Sequence, residues 1–366
     1  MLTSPAKRAR LLLKSTTNTR GDENMKAAVW VAPNKLEMRD MPVPKPQDGE
    51  VVIKVLGCGV CGTDVHIYCG EVPLAKPPNV LGHEIYGEVI ESAAGVTAFK
   101  KGERVSVDPV VGCGVCQNCQ EGKTNLCPRP TIIGYARCGG FAQYTSVPAT
   151  HLYRTSERLG PKGGILAETL ACVLNGYDRL NLKGCRSAMI LGAGSVGLLW
   201  TELLKHSLTT KVIQTDVIPE RGAVAKSLGA DAVIDARKPN WQEDVLALEP
   251  SGVDYIIDAT GTARAIQSSL SLLKSGGTFM IFGVCPEEER ITISPYEMFA
   301  KELSIIGAKM PPQTLGRAVR ILEAGKINCG AIVTTTMPLS HLAEAIEFFK
   351  TAKDKHIKIM IDPWID

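Results

Sequence analysis

At 366 residues the chain is longer than a single hydrophobic core usually serves, so two domains are expected. Hydrophobic content of 45%, charged content of 22% and a net charge of +3 describe an ordinary soluble globular protein. They give no reason to expect nucleic acid or an anionic membrane as partner. No apolar run reaches the roughly 18 to 20 residues of a membrane span. Several of the 12 cysteines are clustered, which points to metal in a reducing compartment rather than to a disulfide framework.

Residues 1–24 stand apart, with Lys7, Arg8, Arg10, Lys14 and Arg20 and no acid before Asp22. That composition fits an unstructured extension or an organelle transit peptide. From Met25 onward, short runs such as AAVWV, EVVIKVLGCGV and EIYGEVIE lie between Pro- and Gly-rich turns, the pattern of strands in a β-rich domain with its metal ligands on loops. Within it, residues 57–84 gather Cys61, Thr63, Asp64, His66, His83 and Glu84. Any one of these is more often a packed or solvated residue than a ligand. Cys61, His83 and Glu84 together supply the sulfur, imidazole and carboxylate that zinc takes in a catalytic site with one position open.

Residues 108–130 form a second metal segment, in which Cys113, Cys116, Cys119 and Cys127 follow the spacing C-x2-C-x2-C-x7-C. Four thiolates close tetrahedrally around one zinc and leave no place for substrate, so this site is structural. Zinc modules that bind nucleic acid also cluster cysteines, but Lys123 is the only basic residue between 108 and 127 and no aromatics are interleaved, which disfavours that reading.

A helical passage, residues 165–180, leads into strand AMILG, then Gly192, Gly194, Val196 and Gly197, then the helical VGLLWTELLKH. A glycine-rich turn between strand and helix, with Asp216 ending the next strand, is a dinucleotide-binding context. The helix N-terminus receives the pyrophosphate. An acid at 216 accepts ribose hydroxyls and favours NAD over NADP, although Arg221 nearby could accommodate a 2′-phosphate. Further apolar strands, DAVIDA, VDYIIDATG, GGTFMIFGV and LSIIGA, continue a buried parallel sheet.

The run from Cys61 through Thr63-Asp64 to His66, the later Gly82-His83-Glu84, the four-cysteine lobe and the glycine-rich turn resemble the zinc-dependent medium-chain dehydrogenase/reductase superfamily from about Met25 to the C-terminus. They are most similar to its sorbitol, xylitol and arabinitol branch. The resemblance implies an α/β protein: a GroES-like β-rich catalytic domain over 25–174, a doubly wound parallel-sheet Rossmann NAD domain over 175–311, and a return of 312–366 to the catalytic domain, substrate lying in the cleft between domains. It implies two Zn2+ per chain and the cofactor NAD, with Gly283 and Val284 facing the nicotinamide beside Gly307-Ala308-Lys309. Glu168 matches the glutamate of the branch's Glu-Pro-Leu motif, with Thr169 in place of proline, and is favoured as a further zinc neighbour; Cys172 falls where the ethanol-type branch supplies a ligand, and the choice stays open.

The implied activity is oxidation of a secondary hydroxyl of a polyol to a ketone. Thr63 and His66 would relay the proton and Asp64 would orient His83. Threonine 3-dehydrogenase-like and sugar-phosphate alcohol oxidation are the alternatives. The expected partners are a small alcohol and further copies of the chain, as homodimer or homotetramer. The expected location is the cytoplasm, or an organelle if residues 1–24 are a transit peptide.

Overall fold

The computed structural model describes residues 24–182, 184–207 and 211–366. The basic N-terminal extension, up to residue 23, lies outside the described residues. Among the described residues no helix is long and apolar enough to cross a membrane. The chain divides into two compact units, residues 24–171 with Pro311–Ala324 and Val333–Asp366, and Cys172–Met310 with Gly325–Ile332.

The first unit is built on a mixed sheet in which Glu50–Gly59 is central. It pairs antiparallel with Glu84–Ser92, Tyr144–Pro148 and the C-terminal Lys358–Asp362, which in turn pairs parallel with Val333–Pro338. β-Branched residues dominate these strands, and Val51, Ile53, Val55, Ile85, Val89, Val105 and Ile361 are buried in one core with Trp30 and Phe141. The segment from 57 to 84 departs from the expected run of strands and loops: Gly62–Cys69 is a helix, closed by Gly70 in the left-handed region at φ 86°. The metal-ligating types therefore stand at element ends, Cys61 as N-cap residue of that helix and Glu84 as first residue of its strand.

The second unit is a six-stranded parallel sheet. Its first strand, Ser187–Leu191, is central, flanked by Lys211–Asp216 and then Ala232–Asp235 on one side, and by Val253–Asp258, Leu273–Ile281 and Ser304–Gly307 on the other. This is the doubly wound order. All five residues of Ser187–Leu191 are buried, the continuous apolar pattern that a strand covered on both faces requires. Helix Ser195–Ser207 buries Leu198, Leu199 and Leu203, and its Thr201 Oγ1 donates to Gln214 Oε1 on the next strand at 2.6 Å.

Candidate metal centres and cofactor site

Helix Gly62–Cys69 aims Cys61, Thr63 and Asp64 at one point. The Cys61 N–H donates to Asp64 Oδ2 at 3.0 Å, while Asp64 Oδ1 lies 3.4 Å from His83 Nδ1, so one buried carboxylate both caps the helix and faces the imidazole. His83 follows Gly82, where φ is 91° and a Cβ would press on Cys58 Sγ and the Phe141 ring. Cys61, His83 and Glu84 each bring a ligand atom to within 4.8 Å of the others. The sulfur of Cys61 is 3.9 Å from Thr63 Oγ1. His66, on the last turn, is half exposed with Nδ1 2.6 Å from Glu71 Oε2.

Glu84 Oε1 accepts from Lys358 Nζ at 2.5 Å and from Thr169 Oγ1 at 3.0 Å, while Oε2 is buried without a hydrogen-bond partner. A side chain at Gly59 would collide with this carboxylate, which explains the glycine there. Burial opposes the charge on Lys358, but Glu84 and Cys61 outweigh it and hold the amine above its ordinary value. Burial likewise opposes charge on His83, yet Tyr135 and the Asp64 carboxylate beside it raise the imidazole well above its usual range. The pocket thus concentrates negative charge away from water, and sulfur, imidazole and an unpartnered carboxylate oxygen are a donor set suited to zinc. Glu168 is buried on the helix Gly160–Arg179 and influences Lys358 and Asp108, but it does not fall within the Cys61, His83, Glu84 group.

The sulfurs of Cys113, Cys116, Cys119 and Cys127 also fall within 4.8 Å of one another. Backbone N–H groups of Cys113 and Arg129 each lie 3.4 Å from Cys127 Sγ, and those of Val115 and Cys116 draw the Cys113 thiol down to about 6. Such N–H groups stabilise thiolates, the form that binds metal. A four-sulfur zinc site fits this lobe.

In the second unit Gly192 has φ 92°, and a side chain at Gly197 would strike the Gly192 carbonyl, so strand and helix approach as a dinucleotide turn demands. Val196 is the second residue of the helix Ser195–Ser207 behind them. Asp216 ends its strand and accepts from Ala193 N at 2.5 Å and Ile218 N at 2.8 Å, which holds the carboxylate against the glycine turn. The Arg221 guanidinium stands over Gly194. At the neighbouring strand ends Asp258 is buried and accepts from Thr260 and Gly261, and Gly283 packs so closely on Gly261 that a side chain there has no room. Val284 beside it is 77% exposed, and Asn175 Nδ2 donates to the carbonyl oxygens of Lys309 and Met310.

Sequence reading missed Lys358 and took Thr169 only as a departure from a motif. A lysine opening the apolar run KIMID was the available signal for the first.

Comparison with known proteins agrees with this geometry. Residues 47–157 match the alcohol dehydrogenase GroES-like domain and residues 195–324 the zinc-binding dehydrogenase domain. D-altritol 5-dehydrogenase of Agrobacterium fabrum is 32% identical over 89% of this chain and 95% of its own length. Sorbitol dehydrogenase of Bacillus subtilis is 30% identical over 93% and 98%. Among solved structures, a Sinorhizobium meliloti protein of the zinc-binding dehydrogenase type, bound to NADP, has a TM-score of 0.87 at 32% identity, over 93% of this chain and 100% of its own. An Escherichia coli alcohol dehydrogenase with NADH has 0.86 at 30%, over 93% and 99%. The chain belongs to the zinc-dependent medium-chain dehydrogenase family. It is an oxidoreductase with a GroES-like domain and a Rossmann-type domain.

Proposed function

We propose that the protein oxidises a secondary hydroxyl of a polyol or sugar alcohol to a ketone, with NAD as hydride acceptor. The observation that carries this reading is the group of Cys61 with the buried His83 and Glu84, the Thr63 hydroxyl lying beside the Cys61 sulfur. Relatives named for altritol and sorbitol supply the substrate class. Bound zinc supplies the Lewis acidity that lowers a hydroxyl's pKa, and bound NAD the hydride acceptor.

The chain's own residues do the rest. Cys61, His83 and Glu84 hold the metal, with Glu168 as a buried neighbour. Asp64, facing His83 Nδ1, fixes the ring so that Nε2 is the ligating nitrogen. Thr63 Oγ1 takes the substrate proton and gives up its own, and His66, half exposed, passes that proton on to water. The four lobe cysteines hold a structural zinc.

In the cofactor domain Gly192, Gly194, Val196 and Gly197 receive the pyrophosphate, Asp216 the ribose hydroxyls, and Gly283 and Val284 the nicotinamide. Asp216 favours NAD, and Arg221 over Gly194 serves the phosphates. Domain roles follow the same division, catalytic for the first unit and cofactor-binding for the second. The thiol ligand sets suit a reducing compartment, the cytoplasm. Self-association, as homodimer or homotetramer, is supported by Tyr296 and Phe299, 77% and 82% exposed, just before Ser304–Gly307, a strand with one neighbour among the described residues.

The test is reduction of NAD and of NADP by purified protein across polyols, sugar phosphates and threonine, with zinc analysis and sedimentation. NADH formation with polyols at two zincs per chain is the expected result. Turnover of threonine alone, or turnover indifferent to chelators, overturns it.

A further inference from the structure

Tyr135 belongs to no motif, yet the fold fixes it against His83, one of the candidate zinc ligands. The loop that carries it is laid on the backbone before His83: Gly139 N donates to Val80 O at 2.8 Å, Gly140 N to Gly82 O at 2.9 Å and Phe141 N to Leu81 O at 3.0 Å. Gly134 has φ +85°, and a Cβ there would stand 2.6 Å from the Gly82 carbonyl oxygen, so only glycine allows so close an approach. Asn79 Nδ2 donates to the Tyr135 carbonyl at 2.8 Å and holds the loop from below. The Tyr135 ring then meets His83 edge-on, centroids 5.3 Å apart at 85°, and the Thr63 side chain neighbours its hydroxyl.

We propose that Tyr135 is a positioning residue of the dehydrogenation site, one side chain that fixes the ring plane of His83 and the rotamer of Thr63 together. The inference rests on the reading above, in which Thr63 takes the substrate proton. Thr63 is the second residue of helix Gly62–Cys69, with no preceding turn to offer its hydroxyl a carbonyl, so its rotamer is set by the groups beside it. A phenol hydroxyl neighbouring the Thr63 side chain favours the rotamer that keeps Oγ1 on the Cys61 side. An aromatic edge against the imidazole restricts rotation of a ring whose Nδ1 approaches Asp64 only to 3.4 Å.

The two contacts are separable. Tyr135→Phe keeps the ring and removes the hydroxyl. Its kcat for the best polyol falls about tenfold, the worth of one well-placed hydrogen bond, with KM within about twofold and zinc content unchanged. If Tyr135 acts through Thr63, Tyr135→Phe costs nothing further in a Thr63→Val background. Tyr135→Leu also removes the ring, and the catalytic zinc then passes to a chelator about tenfold faster than in wild type, the scale of a lost support of a metal ligand. An unchanged kcat in Tyr135→Phe, a loss that persists beside Thr63→Val, or wild-type zinc release from Tyr135→Leu overturns the proposal. If the wild type oxidises no alcohol, the functional reading fails by itself, and the zinc-release rates still decide whether Tyr135 supports His83.

Discussion

The two candidate metal-binding regions of the first unit are built on opposite plans. The lobe draws Cys113, Cys116, Cys119 and Cys127 from one short stretch, all but Cys127 partly exposed, with backbone N–H groups supporting the sulfurs. The candidate catalytic pocket draws Cys61 from a helix N-cap, His83 and Glu84 from a strand start, Thr169 from a long helix and Lys358 from the last strand, and buries His83, Glu84 and Lys358. A site that only has to hold an ion can be assembled locally. A site that must keep charge in a dry pocket needs counter-charges from distant parts of the chain, because an unpaired buried charge is costly.

The largest effect separating the two plans is expected from Cys61→Ser. Losing several kcal/mol of Lewis-acid stabilisation lowers turnover by on the order of a thousandfold or more, with one zinc per chain retained and the circular dichroism unchanged. Full activity with two zincs would break the comparison at its root. Next comes Lys358→Met, which in protein stripped of the Cys61-site zinc leaves Glu84 buried without a cation and is expected to cost about 3–5 kcal/mol in urea unfolding, much of it recovered in the same metal-free state when Glu84→Gln is added. Equal stability of single and double variants would mean that the pair is not coupled.

Cys116→Ser should act locally. Zinc falls to one per chain, limited proteolysis moves to residues 113–127, and the Cys61 site keeps its metal. A joint loss of both zincs would show that the lobe is not the independent module described.

The smallest effect sharpens the contrast between a buried carboxylate with a cation and one without. Glu202 is raised from 4.5 to about 7 by burial; its Oε1 accepts the Asn328 N–H at 2.9 Å and its Oε2 is unpartnered. A raised folded-state value means that its stabilising contribution is full below pH 4.5 and is lost as pH rises through about 7. Glu202→Gln should therefore gain on the order of 1–2 kcal/mol at pH 8 and nothing at pH 4.5, read as a pH-dependent shift in melting temperature. A gain of the same size at both values would refute the ionisation account.

The sequence carried much of this. Strand periodicity with intervening glycines, and a glycine-rich turn followed by Asp216, suffice for a β-rich domain and a parallel-sheet domain, since both are repeated local patterns. The spacing of the lobe cysteines specifies its chemistry for the same reason. The helix Gly62–Cys69 was hidden because its Gly-Thr start reads as a loop and its stabilisation comes from Asp64 folding back on Cys61. Lys358 and Tyr135 were hidden because nothing near either in the chain refers to residue 84 or 83.

By itself, then, the order of residues determined which atoms are available to bind zinc and dinucleotide, and in which kind of domain each set lies. Only the tertiary structure decided how the catalytic ligands are neutralised and oriented, by placing a C-terminal lysine on Glu84 and a loop tyrosine against His83. The reason is one of range: ligand identity is a property of single residues and short spacings, whereas electrostatic compensation in a buried pocket depends on whichever side chains the completed sheet brings within a few ångströms.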